Sequence, residues 1–277
     1  MYNNRSHQLV FVFSGMGTQW WAMGRQLMVS EEIFSNCIEE IDKLLTGFGA
    51  EWSLRHLLTM ETDKDKIHRT DIAQPAICAI QIALAAVYRH FGIHPDVVIG
   101  HSVGEVAAAY VAGYLSLSDA VRLIYVRGKC LQETTGKGKM AAILSPVQNF
   151  QQELIKQYFF KGTKFLRSPK FPLKSKLAPI HVKMISTVNG KYLNAEVLNS
   201  STYWWNNIRQ TVAFENSLVK LLEGGYNVFL EIGPHPSLAS PIKDTMVSFS
   251  EQSGVSYHGQ VLSHKFSSTA FRYITNA

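Results

Sequence analysis

The pentapeptide Gly100-His101-Ser102-Val103-Gly104 constrains this chain more than any other feature. An apolar, β-prone run over 95–100 leads into it, and an alanine-rich stretch from Glu105 onward leads out. G-x-S-x-G between a strand and a helix is the nucleophile elbow: small flanking residues allow a sharp turn that lifts the serine hydroxyl out of the chain. Ser102 then stands at a helix N-terminus, where the helix dipole and free N–H groups favour a developing oxyanion. The N–H of Val103 is the natural first donor. His101 directly precedes the serine, so its ring points elsewhere and is read as a pocket wall.

The rest of the chain repeats the strand-then-helix pattern. Residues 9–13, Leu-Val-Phe-Val-Phe, are apolar on both faces, as buried parallel strands are. They end in the turn Ser14-Gly15-Met16-Gly17-Thr18. This turn lacks the Gly-Lys-Ser/Thr ending of a Walker A loop and the G-x-G-x-x-G spacing. A backbone N–H there, at Met16, can supply a second oxyanion donor. Helices are expected over 31–45 (stopped at Gly47), 72–91 (with Asp71 as N-cap), 118–134 and 148–159. Strands are expected over 95–100, 140–144, 182–187 and 228–232. Strands alternating with helices predict a parallel sheet covered by helices.

Composition narrows the class further. With 46% hydrophobic and 17% charged residues, the chain is neither disordered nor fibrous. Three cysteines, an odd number without a CxxC pair, suit a reducing compartment and give no zinc signal. A cytoplasmic location is expected, with no signal peptide and no run approaching about 18 apolar residues. The net charge of +6 is modest. Part of it falls in the basic stretch 161–176, read as a loop or as a dock for an acidic partner or phosphates. Neither nucleic acid nor membrane is expected as a partner.

Taken together, several ordered motifs resemble the acyltransferase domain of the malonyl-CoA:acyl-carrier-protein transacylase family. They are Ser14-Gly-Met-Gly-Thr-Gln-Trp20, Gly100-His-Ser-Val-Gly-Glu-Val106, Tyr125-Val-Arg-Gly-Lys129, Ser186-Thr-Val-Asn-Gly190, Tyr203-Trp-Trp-Asn-Asn-Ile-Arg209 and Glu231-Ile-Gly-Pro-His-Pro236. The motifs are most similar to domains of animal-type fatty acid synthases and type I polyketide synthases. The resemblance implies an α/β-hydrolase-like large subdomain with a ferredoxin-like small one. Here that maps to a domain over 7–265: a large subdomain from 7–140 and 185–265, and a reduced small subdomain over 141–184.

The resemblance also implies roles. Ser102 takes the acyl group from coenzyme A and passes it to the phosphopantetheine thiol of an acyl carrier protein. Arg127 pairs with the free carboxylate of a malonyl-type group, which suits its planar fork. Met16 and Val103 form the oxyanion hole, and Gln19 lines the pocket beside His101. No cofactor is implied beyond the coenzyme A thioester, which is a substrate. The family's base histidine sits in a Phe-His-Ser type motif before the strand at 182–187, and this chain has none there. The interval 145–184 holds a single histidine, His181. His235, in Gly-Pro-His-Pro, is the other candidate for acting as the base or orienting it. Two alternatives therefore stay open: a catalytically weak copy, and a serine esterase that shares the elbow.

Overall fold

In the computed structural model, residues 8–136, 182–254 and 259–263 are described. The elements run β1 (Leu9–Phe13), α1 (Leu27–Ser30), α2 (Glu32–Gly47), α3 (Leu54–Thr59), α4 (Thr70–His90), β2 (Val97–Gly100), α5 (Gly104–Val111) and α6 (Leu117–Gln132). After the interval come β3 (Lys183–Ile185), α7 (Ala195–Leu198), α8 (Ser201–Arg209), α9 (Phe214–Glu223), β4 (Val228–Ile232), α10 (Ala239–Ser253) and β5 (Gln260–Ser263). The expected strand over 140–144, the helix over 148–159, the basic stretch and His181 lie outside the described residues.

The five strands form one sheet in the order β3-β2-β1-β4-β5, all parallel. The parallel α/β architecture expected from the strand runs is therefore present. β1 is central because its Val-Phe-Val-Phe run has apolar side chains for both faces. Phe11 and Phe13 face a core built from α2 to α6, and Val10 and Val12 face one built from α9 and α10. Phe13 is in register with Gly100 on one side and Ile232 on the other. The turns after β1, β2 and β4 therefore meet at the carboxyl edge of the sheet, where ligands bind in open parallel sheets.

α4 is long and apolar enough to cross a membrane by length and composition, with a mean hydropathy of 1.5, yet 83% of that window is buried in the fold. It is the central core helix, packed between α2 and α6. Its buried amide Gln81 serves the sheet edge. The Nε2 group donates to the Ser14 carbonyl at 2.8 Å and the Ile232 carbonyl at 3.3 Å, tying the ends of β1 and β4 together.

Two helix limits differ from the sequence expectation. α4 begins at Thr70, with Arg69 rather than Asp71 in the capping position. The Asp71 carboxylate pairs with Arg69, and Gln132 accepts from the Thr70 N–H, so a side chain from another helix closes this end. α2 continues through Gly47. The turn closes at Phe48, whose N–H bonds back to Leu44 and Leu45, and the left-handed residue is Gly49.

Candidate active site

The elbow is built by close approach of backbone. Ser102 has φ of 54°, a left-handed conformation that a non-glycine residue adopts only where its surroundings enforce it. Gly100 and Gly104 make it possible. A Cβ on Gly100 would meet the backbone of Gly104 and Glu105, and one on Gly104 would meet the carbonyls of Phe13 and Ser14. His101 N–H donates to the Phe13 carbonyl at 2.8 Å, fixing the elbow against the end of β1.

Of the residues expected from the sequence, Met16, Gln19, His101, Ser102, Val103 and His235 lie on or next to the turns at this edge, and His181 lies outside the described residues. The N–H groups of Val103 and Met16 bond no other backbone carbonyl among the described residues, leaving both free to donate. Gln19 Oε1 accepts from the Gly17 N–H at 2.8 Å and so shapes the glycine turn. The His101 ring packs edge-on against Phe214, with centroids 5.4 Å apart, and burial lowers its pKa. The His101 ring therefore favours its neutral form. Trp20 Nε1 donates to the Pro234 carbonyl at 2.9 Å, joining the glycine turn to the turn after β4. His235 lies on that second turn with an exposed side chain.

Arg127 lies on α6 and is 3% exposed. Its Nη1 donates to Gln74 Oε1 at 2.6 Å. Its Nη2 donates to Asn207 Oδ1 at 3.3 Å and reaches Ser102 Oγ at 3.5 Å. Nε has no partner among the described residues. Burial lowers the guanidinium pKa to about 10, while Glu105 pulls it back up. A buried cation without a carboxylate in contact is a costly arrangement, and it is offset when an anion arrives. Arg127 Nη2 is the sole hydrogen-bond partner of Ser102 Oγ among the described residues.

A buried carboxylate lies beneath the serine. Glu105 accepts from the Thr187 N–H at 2.6 Å, Thr187 Oγ1 at 3.0 Å, Tyr203 OH at 2.7 Å and Asn207 Nδ2 at 2.9 Å. Each oxygen faces at least one obligate donor, so the group is held as a carboxylate. Burial raises its pKa, and the four donors oppose that rise. Asn207 Nδ2 also donates to the Ser102 carbonyl at 3.0 Å. This amide therefore contacts the nucleophile's backbone, the carboxylate and the guanidinium at once.

Glu105, Tyr203 and Asn207 lie inside motifs quoted from the sequence but carry no role there, and Gln74 lies in none of them. The available signal was polar residues within apolar helices: Gln74 and Gln81 in α4, Glu105 at the head of α5. Among the described residues no group of three or more His, Cys, Asp or Glu converges to hold a metal. A cleft of about 970 Å³ is lined by Asn189, Asn206, Gln210, Thr211 and Phe214 among others; it reaches the elbow through the contact of Phe214 with the His101 ring, and neither Ser102 nor Arg127 lines it.

Comparison with known proteins gives the chain's family. The model of the acyl transferase domain matches residues 10–157 and 172–276. The chain is 32% identical over 286 residues to the spectinabilin polyketide synthase system protein NorA of Streptomyces orinoci. It is 31% identical over 290 residues to mycoketide-CoA synthase of Mycobacterium tuberculosis. Each match covers 86% of this chain, but the chain spans 15% and 7% of those proteins' own lengths. Among solved structures, the acyltransferase domain from module 8 of the salinomycin polyketide synthase superposes with a TM-score of 0.77 at 26% identity, over 96% of this chain and 74% of that one. MCAT from Streptococcus pneumoniae shares the fold, with a TM-score of 0.75 at 20% identity over 97% and 99% of the two chains. A family model matched along most of the sequence and relatives above 30% identity lead to one conclusion: this chain belongs to the acyl transferase domain family.

Proposed function

We propose that the chain moves a malonyl-type acyl group from coenzyme A to the phosphopantetheine thiol of an acyl carrier protein, through an ester on Ser102. One observation carries this reading: the buried Arg127 guanidinium lies 3.5 Å from Ser102 Oγ, with neutral acceptors beside it and Nε unpartnered. A substrate carrying a free carboxylate one methylene away from its thioester fits a cation at that distance from the nucleophile. The planar fork can take both carboxylate oxygens.

The steps follow from the site. Ser102 Oγ attacks the thioester carbonyl, and the developing oxyanion is held by the Met16 and Val103 N–H groups. The Oγ proton passes to a base, the C–S bond breaks, and coenzyme A leaves as the thiol once reprotonated. The carrier's thiol then attacks the serine ester and the sequence reverses. His235, on the turn after β4, and His181 are the candidates for the base. The cleft that meets the elbow at Phe214 carries Asn189, Asn206 and Gln210, side chains able to bond the two amides of a pantetheine arm, and no cofactor beyond the thioester substrate is called for. Acting as one domain of a larger cytoplasmic synthase fits a match to only part of each synthase's length.

The test is acylation of the full chain with labelled malonyl-CoA, followed by peptide mapping. Label on Ser102, lost in Ser102→Ala, is expected. Folded protein that gains no label overturns the reading. His181→Ala and His235→Ala in the same assay separate the two histidines.

A further inference from the structure

Buried guanidinium groups ordinarily lie against a carboxylate, because an unpaired buried charge is expensive. Around Arg127 the protein places two carboxamides instead. Gln74 Oε1 accepts from Nη1 at 2.6 Å and Asn207 Oδ1 from Nη2 at 3.3 Å, and the side chains of Gln74 and Asn207 are themselves buried. The nearby carboxylate, Glu105, is kept one step away. It binds Asn207 through Nδ2, so the amide stands between the two charges. The Asn207 amide has a fixed sense, since it receives from Arg127 on oxygen and gives to Glu105 and Ser102 through nitrogen.

Resting on the malonyl reading above, we infer that Gln74 and Asn207 are specificity-determining positioning residues: they aim Arg127 with neutral acceptors, so that its charge is left for the substrate's carboxylate. An acid at either position would occupy the guanidinium with a permanent internal carboxylate. The substrate's own carboxylate would then compete with it and gain little. An acyl group with no carboxylate would lose nothing by the exchange. The two amides thus act on the choice between acyl groups rather than on the acyl transfer step.

The experiment measures dissociation constants of malonyl-CoA and acetyl-CoA by calorimetry, in a Ser102→Ala background so that no acyl-enzyme forms. The parent is expected to bind malonyl-CoA more tightly. Gln74→Glu should lower the malonyl-to-acetyl affinity ratio by about tenfold or more, chiefly by weakening malonyl-CoA. Gln74→Met, similar in size but without the acceptor and without a charge, should lower the ratio too, but clearly less than Gln74→Glu does. Asn207→Asp should act as Gln74→Glu does. It also brings a second carboxylate near Glu105 and can cost folding, so Gln74→Glu is the deciding variant. A Gln74→Glu ratio equal to the parent's overturns the inference and leaves the malonyl reading intact. Equal losses in Gln74→Met and Gln74→Glu overturn it too, since shape rather than charge would then matter. A parent that does not distinguish the two thioesters overturns the malonyl reading itself and the inference with it.

Discussion

Replacing Tyr203 with Phe removes one oxygen from the network under Ser102, and its cost can be worked from the contacts. The hydroxyl donates to Glu105 Oε2 at 2.7 Å and shares a 2.8 Å hydrogen bond with Ser186 Oγ. Losing a bond to a charged acceptor costs about 1.5–3 kcal/mol, and the buried Ser186 hydroxyl left short of an acceptor adds about 1 kcal/mol. The total is about 3 kcal/mol. With a urea dependence of about 3 kcal/mol per molar for a chain of this size, the midpoint should fall by about 1 M. The Tyr203 donor stabilises the charged form of Glu105 and lowers its folded pKa, so its contribution is present above the carboxylate range and is lost as pH falls through the folded value. Burial raises that folded value, so the difference between parent and variant should be no larger at pH 5 than at pH 8. Urea unfolding at both pH values is the assay. A deficit below about 0.5 kcal/mol at pH 8, or one larger at pH 5 than at pH 8, would refute a charged Glu105 held by Tyr203.

Other outcomes follow from single contacts. Gly104→Ala drives a Cβ into the Phe13 and Ser14 carbonyls and should cost about 1–3 kcal/mol in urea unfolding, with Ser102 acylation lost in whatever folds. Gln81→Leu removes the amide that joins the ends of β1 and β4, takes the donor from the Ser14 carbonyl while Ile232 keeps the Ser14 N–H, and should cost about 1–3 kcal/mol by the same measurement. With its pKa lowered to about 10, Arg127 is charged at neutral pH and loses its proton as pH rises through that value. The preference for malonyl-CoA over acetyl-CoA should therefore hold from pH 7 to 9 and decline toward pH 10.5, read from binding constants.

What the sequence made legible was what local chemistry decides. β1 and β2 announce themselves as unbroken apolar runs, and the elbow is specified by two glycines and a serine in consecutive positions. Arg127 was legible only through its motif, since an arginine near the end of a helix usually faces water. Its burial arises because α6 packs against α4 and α8 lies over the site, which no local pattern records. The roles of Gln74, Glu105 and Asn207 were hidden for the same reason: each takes its meaning from partners 53, 82 and 105 residues away. The start of α4 was misplaced at Asp71 because the deciding contact, Gln132 on the Thr70 N–H, comes from another helix.

The central place of β1 has a consequence for how the molecule comes together. Its neighbour β2 follows within about a hundred residues, but its other neighbour, β4, lies far along the chain, as the bond from the Gln8 N–H to Asn227 across 219 residues shows. Closing such a loop carries a large entropic barrier, and non-local strand pairing slows folding. A growing chain can form β1, β2 and the helices between them while one side of β1 is still bare. The elbow serine and the arginine are then already made, but Asn207 and the β4 turn are not. Ribosome-bound chains should therefore expose one open edge of β1 until β4 has been made. Activity should switch on as β4 docks, in one late step rather than by degrees.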